Sequence, residues 1–246
     1  MPDPVSKVVL LAGASGLVGK YALDAFLDAP DIGRVFAVTR RPLGREHPRL
    51  ANRIVQFDNM EAQLKGTTCD VAVCCLGTTL RQAGSESAFR RVDVDYVLAF
   101  ARTAKAAQAQ RFVVVSSTAA DAGSKNFYLR TKGEMEDAVA GVGFVSLDIL
   151  QPGPLLSLRS QRRVLELGAM LVMPLVNPFL RGEREAFRGI SAQTVGAAIL
   201  GATRSGRKGV QRYTYAGIEA LAKLKSARGM PPADPRTPGD ARQRRT

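Results

Sequence analysis

One histidine, His47, is all that a chain of 246 residues contains. That scarcity argues against a Ser-His-Asp triad and against a histidine-rich metal centre. Cysteine is almost as rare, with Cys69, Cys74 and Cys75 as the full complement. Three thiols do not make a disulfide framework. Two of them are adjacent inside the apolar run VAVCCLG, so they read as buried, reduced core thiols. The N-terminal stretch MPDPVSKVVLLAGASG lacks the basic segment, long apolar core and cleavage site of a secretion signal, and a cytoplasmic location is expected. A membrane span is also missing. The apolar run LGAMLVMPLVNPFL is too short for one, and Pro174 and Pro178 interrupt it. The net charge of +13 invites a nucleic-acid reading. Neither aromatic stacking pattern, recognition helix nor zinc spacing accompanies the charge, so no nucleic-acid partner is expected.

What is present is an ordinary globular composition, 46% hydrophobic and 23% charged, in a chain long enough to bury a large core. Apolar runs of strand length fall at 7–13, 34–40, 53–58, 70–77, 111–118, 144–150 and 209–217. Helical patterns fall between them at 17–29, 88–108, 127–141, 191–206 and 218–226. Strands alternating with helices predict an α/β fold, a doubly wound parallel sheet (Rossmann fold) covered on both faces. One domain over 1–225 is expected, with 157–190 as a small C-terminal lid or substrate region. The remainder, 226–246, holds five arginines against two aspartates and little apolar content, and reads as a disordered basic tail. The helix over 88–108 suits either a homodimer or partner face, or packing on the sheet. Its Asp93 and Asp95, at i and i+2, point apart.

LAGASGLVGK places Gly13, Gly16 and Gly19 at the joint between first strand and first helix. This spacing is a variant of the dinucleotide fingerprint. Gly13 makes the tight turn, Gly16 lets backbone approach a pyrophosphate, and Gly19 lets the helix pack on the strand. The helix N-terminus adds unpaired N–H groups and a positive dipole end. At the end of the second strand an NAD site usually carries an acid for the ribose 2′-hydroxyl. Here the strand ends VTRRP, with Arg40 and Arg41 and no acid. Guanidinium forks suit a 2′-phosphate, so NADP (NADPH) is the expected cofactor. The wider segment 40–53 holds five arginines against one glutamate, which fits a local anionic ligand. Asp58, at the end of the third strand, is a candidate acceptor for the adenine amino group.

NFYLRTKGEMED carries Tyr128 and Lys132 one helical turn apart on one face. A phenol of pKa about 10 is a poor acid or base at neutral pH, and a nearby ammonium draws it toward the working range. A hydroxyl from the neighbouring strand end would orient a substrate carbonyl. VVVSSTAAD offers Ser116, Ser117 and Thr118, with Ser117 favoured and Thr118 the alternate.

Together these residues resemble the short-chain dehydrogenase/reductase superfamily over about residues 6–156, and more loosely to about 225. The segments GASGLVG, TRRP, CCLGTTLRQAGSESAFRRVDVDYVLAFARTAKA, SSTAADAGSKNFYLRTKGEMED and QPGPLL resemble its atypical subgroup of Tat-interacting-protein-like NADPH-binding oxidoreductases. The resemblance implies pyrophosphate contacts from Ser15, Gly16, Leu17 and Val18, and 2′-phosphate contacts from Arg40 and Arg41. It implies that Leu76 and Gly77 line the path to the nicotinamide, that Leu155 packs near it, and that Arg163 reaches the cofactor. Tyr128 would be the catalytic acid and Lys132 its partner, with hydride passing to a carbonyl-like small molecule of unassigned identity. Asp93 departs from the asparagine of many relatives. The alternative function is an NADPH-binding regulatory or protein-interaction module without turnover. An epimerase or dehydratase with tightly bound NAD is a third reading, against which Arg40 and Arg41 argue.

Overall fold

A computed structural model describes residues 6–156 and 182–224. The described strands are β1 (Lys7–Ala12), β2 (Ile32–Thr39), β3 (Leu50–Ile54), β4 (Val71–Cys74), β5 (Arg111–Val115), β6 (Ser146–Leu150), β7 (Leu155–Leu156), β8 (Ile190–Ser191) and β9 (Gly209–Tyr213). Seven of them form one sheet in the order β3-β2-β1-β4-β5-β6-β9, and β7 pairs with β8 apart from it. Every pairing is parallel. The chain builds outward from β1 to β3, then restarts beside β1 with β4. Loops leaving β1 and β4 therefore diverge, and the crevice between them lies at the carboxyl ends of the strands.

Helices cover both faces, as strands without a wet side require. All four residues of β4 and all five of β6 are buried. On one face α1 (Leu17–Asp28) packs with the two C-terminal helices, Ala192–Ala202 and Tyr215–Lys223. Phe26, Leu23, Ile199 and Ile218 meet Val9, Leu11, Val35 and Val73 there. On the other face lie the short α2 (Met60–Gln63), α3 (Leu80–Ala83), α4 (Glu86–Arg90), α5 (Tyr96–Ala106) and α6 (Phe127–Ala140). Phe100, Val97 and Met135 meet Leu10, Ala72, Phe112 and Val114. The odd and even residues of β1 thus serve opposite cores, the period-two rule of a strand. Each enclosed Leu or Phe contributes roughly 1.5–3 kcal/mol. The C-terminal pair are α7 (Ala192–Ala202) and α8 (Tyr215–Lys223).

Three boundaries differ from the sequence expectation. The third strand occupies Leu50–Ile54 rather than 53–58, and Phe57 enters the core from a 3-10 turn, Phe57–Asn59. The helix expected over 88–108 is broken by a π turn at Arg91–Asp95 between α4 and α5. The last helix starts at Tyr215, directly after a strand ending at Tyr213. Residues 157–181 of the expected lid, Arg163, and the tail lie outside the described residues. Among the described residues no helix is long and apolar enough to cross a membrane.

Candidate nucleotide and proton-transfer site

The glycine turn joins β1 to α1 against the end of β4. Gly13 has φ +81°, and a Cβ there would lie 2.5 Å from the Cys75 carbonyl carbon and oxygen. Any side chain would be both strained and obstructed. A Cβ on Gly19 would lie 2.0 Å from the Gly13 carbonyl oxygen, so the helix rests directly on the turn. The Gly16 amide donates to that same oxygen at 2.9 Å. Gly16 caps α1 without any side-chain hydrogen bond. The first-turn N–H groups, including those of Leu17 and Val18, therefore have no capping oxygen, the condition in which a helix end accepts an anion. Ser15 lies within this turn.

At the end of β2 the backbone is braced rather than free. Asn52 donates to the Ala37 carbonyl at 3.0 Å and to Thr39 Oγ1 at 2.7 Å, and its Oδ1 accepts from the Leu43 amide at 2.9 Å. Thr39 Oγ1 donates to the Arg41 carbonyl at 2.8 Å. From this frame Arg40 and Arg41 extend into solvent, Arg40 over the Phe57 ring at 5.9 Å. Asp58 is engaged by two neighbours. Its Oδ1 accepts from Arg91 at 2.6 Å and from the Tyr96 hydroxyl at 3.0 Å, bonds that hold this exposed carboxyl below its ordinary range. A cavity of about 670 Å³ opens between α2 and α5, lined by Phe57, Met60, Leu64, Ala99 and Thr103. Tyr128 and Lys132 are not part of its wall.

Tyr128 and Lys132 occupy the first two turns of α6, whose N-cap is Asn126; the Asn126 Oδ1 accepts from the Leu129 amide at 3.1 Å. Tyr128 is half-buried, its ring 5.8 Å from Phe89. Lys132 is buried, with its ammonium 2.6 Å from Asp93 Oδ1. Asp93 Oδ2 accepts from the Thr78 amide at 2.8 Å. Burial opposes the lysine charge, but attraction by Asp93 and then Tyr128 outweighs it, and the Lys132 pKa is raised. Gly77 stands over this pair, its missing Cβ 3.5 Å from Asp93 Oδ1 and 3.8 Å from Lys132 Nζ. Leu76 is half-buried beside it. The fold thus gathers Gly13, Leu76, Gly77 and Lys132 around the end of β4.

Of the three hydroxyls after β5, Ser116 and Thr118 are buried. Ser116 Oγ is enclosed without a hydrogen-bond partner. Ser117 is half-buried, and its hydroxyl makes a long 3.3 Å bond to the Thr118 carbonyl. Leu155 lies in β7 opposite Ile190 and is 36% exposed. Sequence reasoning did not identify Asp93 as the partner of Lys132. The signal was present in RVDVD, where an acid lies between two valines, but which acid turns inward depends on the π turn.

Known proteins place these features in context. The sequence pattern of the NAD dependent epimerase/dehydratase family matches residues 9–133. Protein HTATIP2 of Rattus norvegicus is 38% identical over 162 residues, 64% of this chain and 66% of the rat protein. Protein FMP52, mitochondrial, of Meyerozyma guilliermondii is 34% identical over 152 residues, 61% of this chain and 66% of that one. The matched segment therefore spans just under two thirds of each relative. A solved structure, the Bordetella bronchiseptica enzyme WbmH in complex with NAD+, superposes with a TM-score of 0.62 at 14% identity, covering 89% of this chain and 80% of the other. At that identity the likeness shows the fold. The cytoplasmic location expected above is corrected by the same comparison, because FMP52 relatives from six fungi are named mitochondrial. The expectation rested on a missing secretion signal, which speaks only to the secretory route.

Proposed function

We propose, on the premise that this chain belongs to the NAD dependent epimerase/dehydratase family, that it is an NADPH-dependent oxidoreductase acting on a carbonyl-like group of a small molecule. The observation that carries the reading is the buried, charged Lys132, four residues from Tyr128 on one helix and facing the end of β4. When bound, the dinucleotide supplies the hydride. The chain's own residues supply position and protons. The uncapped first turn of α1 and the turn from Gly13 to Gly19 would hold the pyrophosphate. Leu76, Gly77 and Leu155 would border the nicotinamide half, and Asp58 the adenine. Ser117, the more accessible hydroxyl beside β5, would hydrogen-bond the acceptor oxygen. Tyr128 would donate its phenolic proton to that oxygen as negative charge develops there. The Lys132 ammonium, which counts Tyr128 among its electrostatic partners, would stand beside the developing charge.

Preference for NADPH is supported by Arg40 and Arg41. Both guanidinium groups are exposed at the end of β2, and the candidate acid Asp58 is engaged with Arg91 and Tyr96. Charge-assisted hydrogen bonds to a 2′-phosphate contribute roughly 1.5–3 kcal/mol, or about 10- to 100-fold in affinity. Titration with NADPH and NADH, followed by nicotinamide fluorescence, tests this. Wild type should bind NADPH at least about tenfold tighter, and Arg40→Ala/Arg41→Ala should lose the preference. Tyr128→Phe should bind NADPH as wild type does while losing carbonyl turnover. Equal binding of the two nucleotides by wild type rejects the NADPH assignment, and a fully active Tyr128→Phe rejects the proton donor.

A further inference from the structure

We propose that Asp93 is the fixed counter-ion of Lys132, keeping the lysine charged and stationary inside the protein and tying it to the loop that follows β4. The functional weight of this pair rests on the proton-transfer reading above, whereas its geometry stands alone. The Lys132 side chain is 6% exposed and that of Asp93 is 0% exposed. An ammonium so enclosed, without an anion beside it, sheds its proton several units below the ordinary lysine range. In this chain the direction is reversed, and Asp93 heads the attractions that reverse it. The other titratable groups facing Lys132 are Tyr128, from its own helix, and Cys74, from β4. Burial pushes the Cys74 thiol up to about 12, so it stays neutral. Asp93 is thus the carboxylate of the set.

Local backbone geometry explains how an acid of a surface-like helix comes to lie there. The Tyr96 amide reaches back to the Arg91 carbonyl, five residues away. That extra residue in the turn leaves Asp93 and Val94 buried while Arg91 and Asp95 face solvent. Single π turns of this kind re-aim side chains at functional sites. The two carboxylate oxygens then divide their work. Oδ1 meets the ammonium at 2.6 Å, and Oδ2 holds the Thr78 amide at 2.8 Å. The bridge links α6 to the loop carrying Leu76 and Gly77. Asparagine at this position would preserve the loop contact through its carbonyl oxygen and lose the charge. Asp93→Asn therefore separates the two roles.

The experiment is a pH titration of the full chain, labelled with lysine carrying ¹³C at Cε, by proton–carbon correlation spectroscopy. No nucleotide is added, so a failure of NADPH binding leaves this result standing. The Lys132 signal is identified by its loss in Lys132→Met. In wild type it should titrate above the ordinary lysine value of about 10.4. In Asp93→Asn its midpoint should fall by about two units or more, with the other lysines unmoved. A Lys132 midpoint that stays within about half a unit of wild type overturns the proposal, because an opposite charge in contact shifts a partner by more than that. Stability supplies a second arm if Asp93→Asn folds poorly. The melting temperature should drop on Asp93→Asn in the natural background and far less in the Lys132→Met background. An equal drop in both, or a double variant that cannot fold, also overturns it.

Discussion

Cys74 lies among the residues that surround Lys132, yet its chemistry is silenced. Its thiol is fully enclosed; burial raises its pKa to about 12, and the Leu76 amide and Lys132 offset only part of that rise. Burial does the same to Cys69, again to about 12, and pushes Cys75 up as well. A thiol is reactive as its thiolate, so at pH 8 a group of pKa 12 is about one part in ten thousand reactive. Ellman's reagent at pH 8 should therefore label the folded protein at least about a hundredfold more slowly than the unfolded one. Three thiols should react once urea is added, and labelling of the folded state should accelerate as pH rises toward 12. Fast labelling of one thiol in the folded protein at pH 8 would mean that the end of β4 opens to solvent. Cys74 was legible from VAVCCLG as a core-strand thiol, whereas Cys75 lies just past the end of β4 and is half-buried, because the apolar run outlasts the strand. The Tyr128 and Lys132 pairing was legible for a similar local reason, since four residues make one helical turn. Asp93 was not, because its partner is 39 positions away by number and meets it only through tertiary packing.

Among the elements, α6 shows how a local signal serves the site. Asn126 ends an extended segment, and its side chain accepts the Leu129 amide, fixing the turn that carries Tyr128. Replacing such a cap with alanine costs about 1 kcal/mol. Asn126→Ala should lose about that much in urea unfolding, and amide exchange at Leu129 should quicken because its acceptor is gone. Unchanged protection at Leu129 would show that packing against Phe89, rather than the cap, holds the turn. The misplaced third strand has the opposite lesson. Every residue of β3 is intermediate or exposed, since β3 is the sheet's edge, so it carries little of the hydrophobic alternation that marks a strand. Buried Val55 and Phe57 follow it and attracted the assignment instead. The π turn escaped for a related reason: one added residue scarcely disturbs a 3.6-residue hydrophobic period.

For the whole molecule, the question is whether the C-terminal strand and helices belong to the same folding unit as the nucleotide half. Arg111 opens β5, Asp148 lies in the middle of β6, and Tyr213 closes β9. Arg111 donates to Asp148 Oδ2 and, at 2.7 Å, to the Arg207 carbonyl, while the Tyr213 hydroxyl donates to Asp148 Oδ1 at 3.0 Å. Asp148 is wholly buried. Burial pushes its carboxyl above the ordinary 3.8, and Arg111 opposes that rise. The folded state thus binds this proton more tightly than the unfolded chain. The stability from that tighter binding is present below about pH 3.8 and is lost as pH rises toward the folded value. At pH 7 the carboxylate is held by Arg111, and each charge depends on the other. Asp148→Asn should leave the guanidinium enclosed without its anion and cost about 3–5 kcal/mol. Replacing Arg111 and Asp148 together by leucine should cost less than the single change, since no orphaned charge remains. With typical urea slopes the single change should lower the midpoint by roughly 1–2 M. The chain has no tryptophan, so tyrosine fluorescence can be followed beside circular dichroism without interference. If residues 1–225 form one domain, both probes should move together in a single transition. A separate early transition in tyrosine fluorescence would instead make β9 and α8 an independently unfolding unit, docked on a sheet that is stable without them.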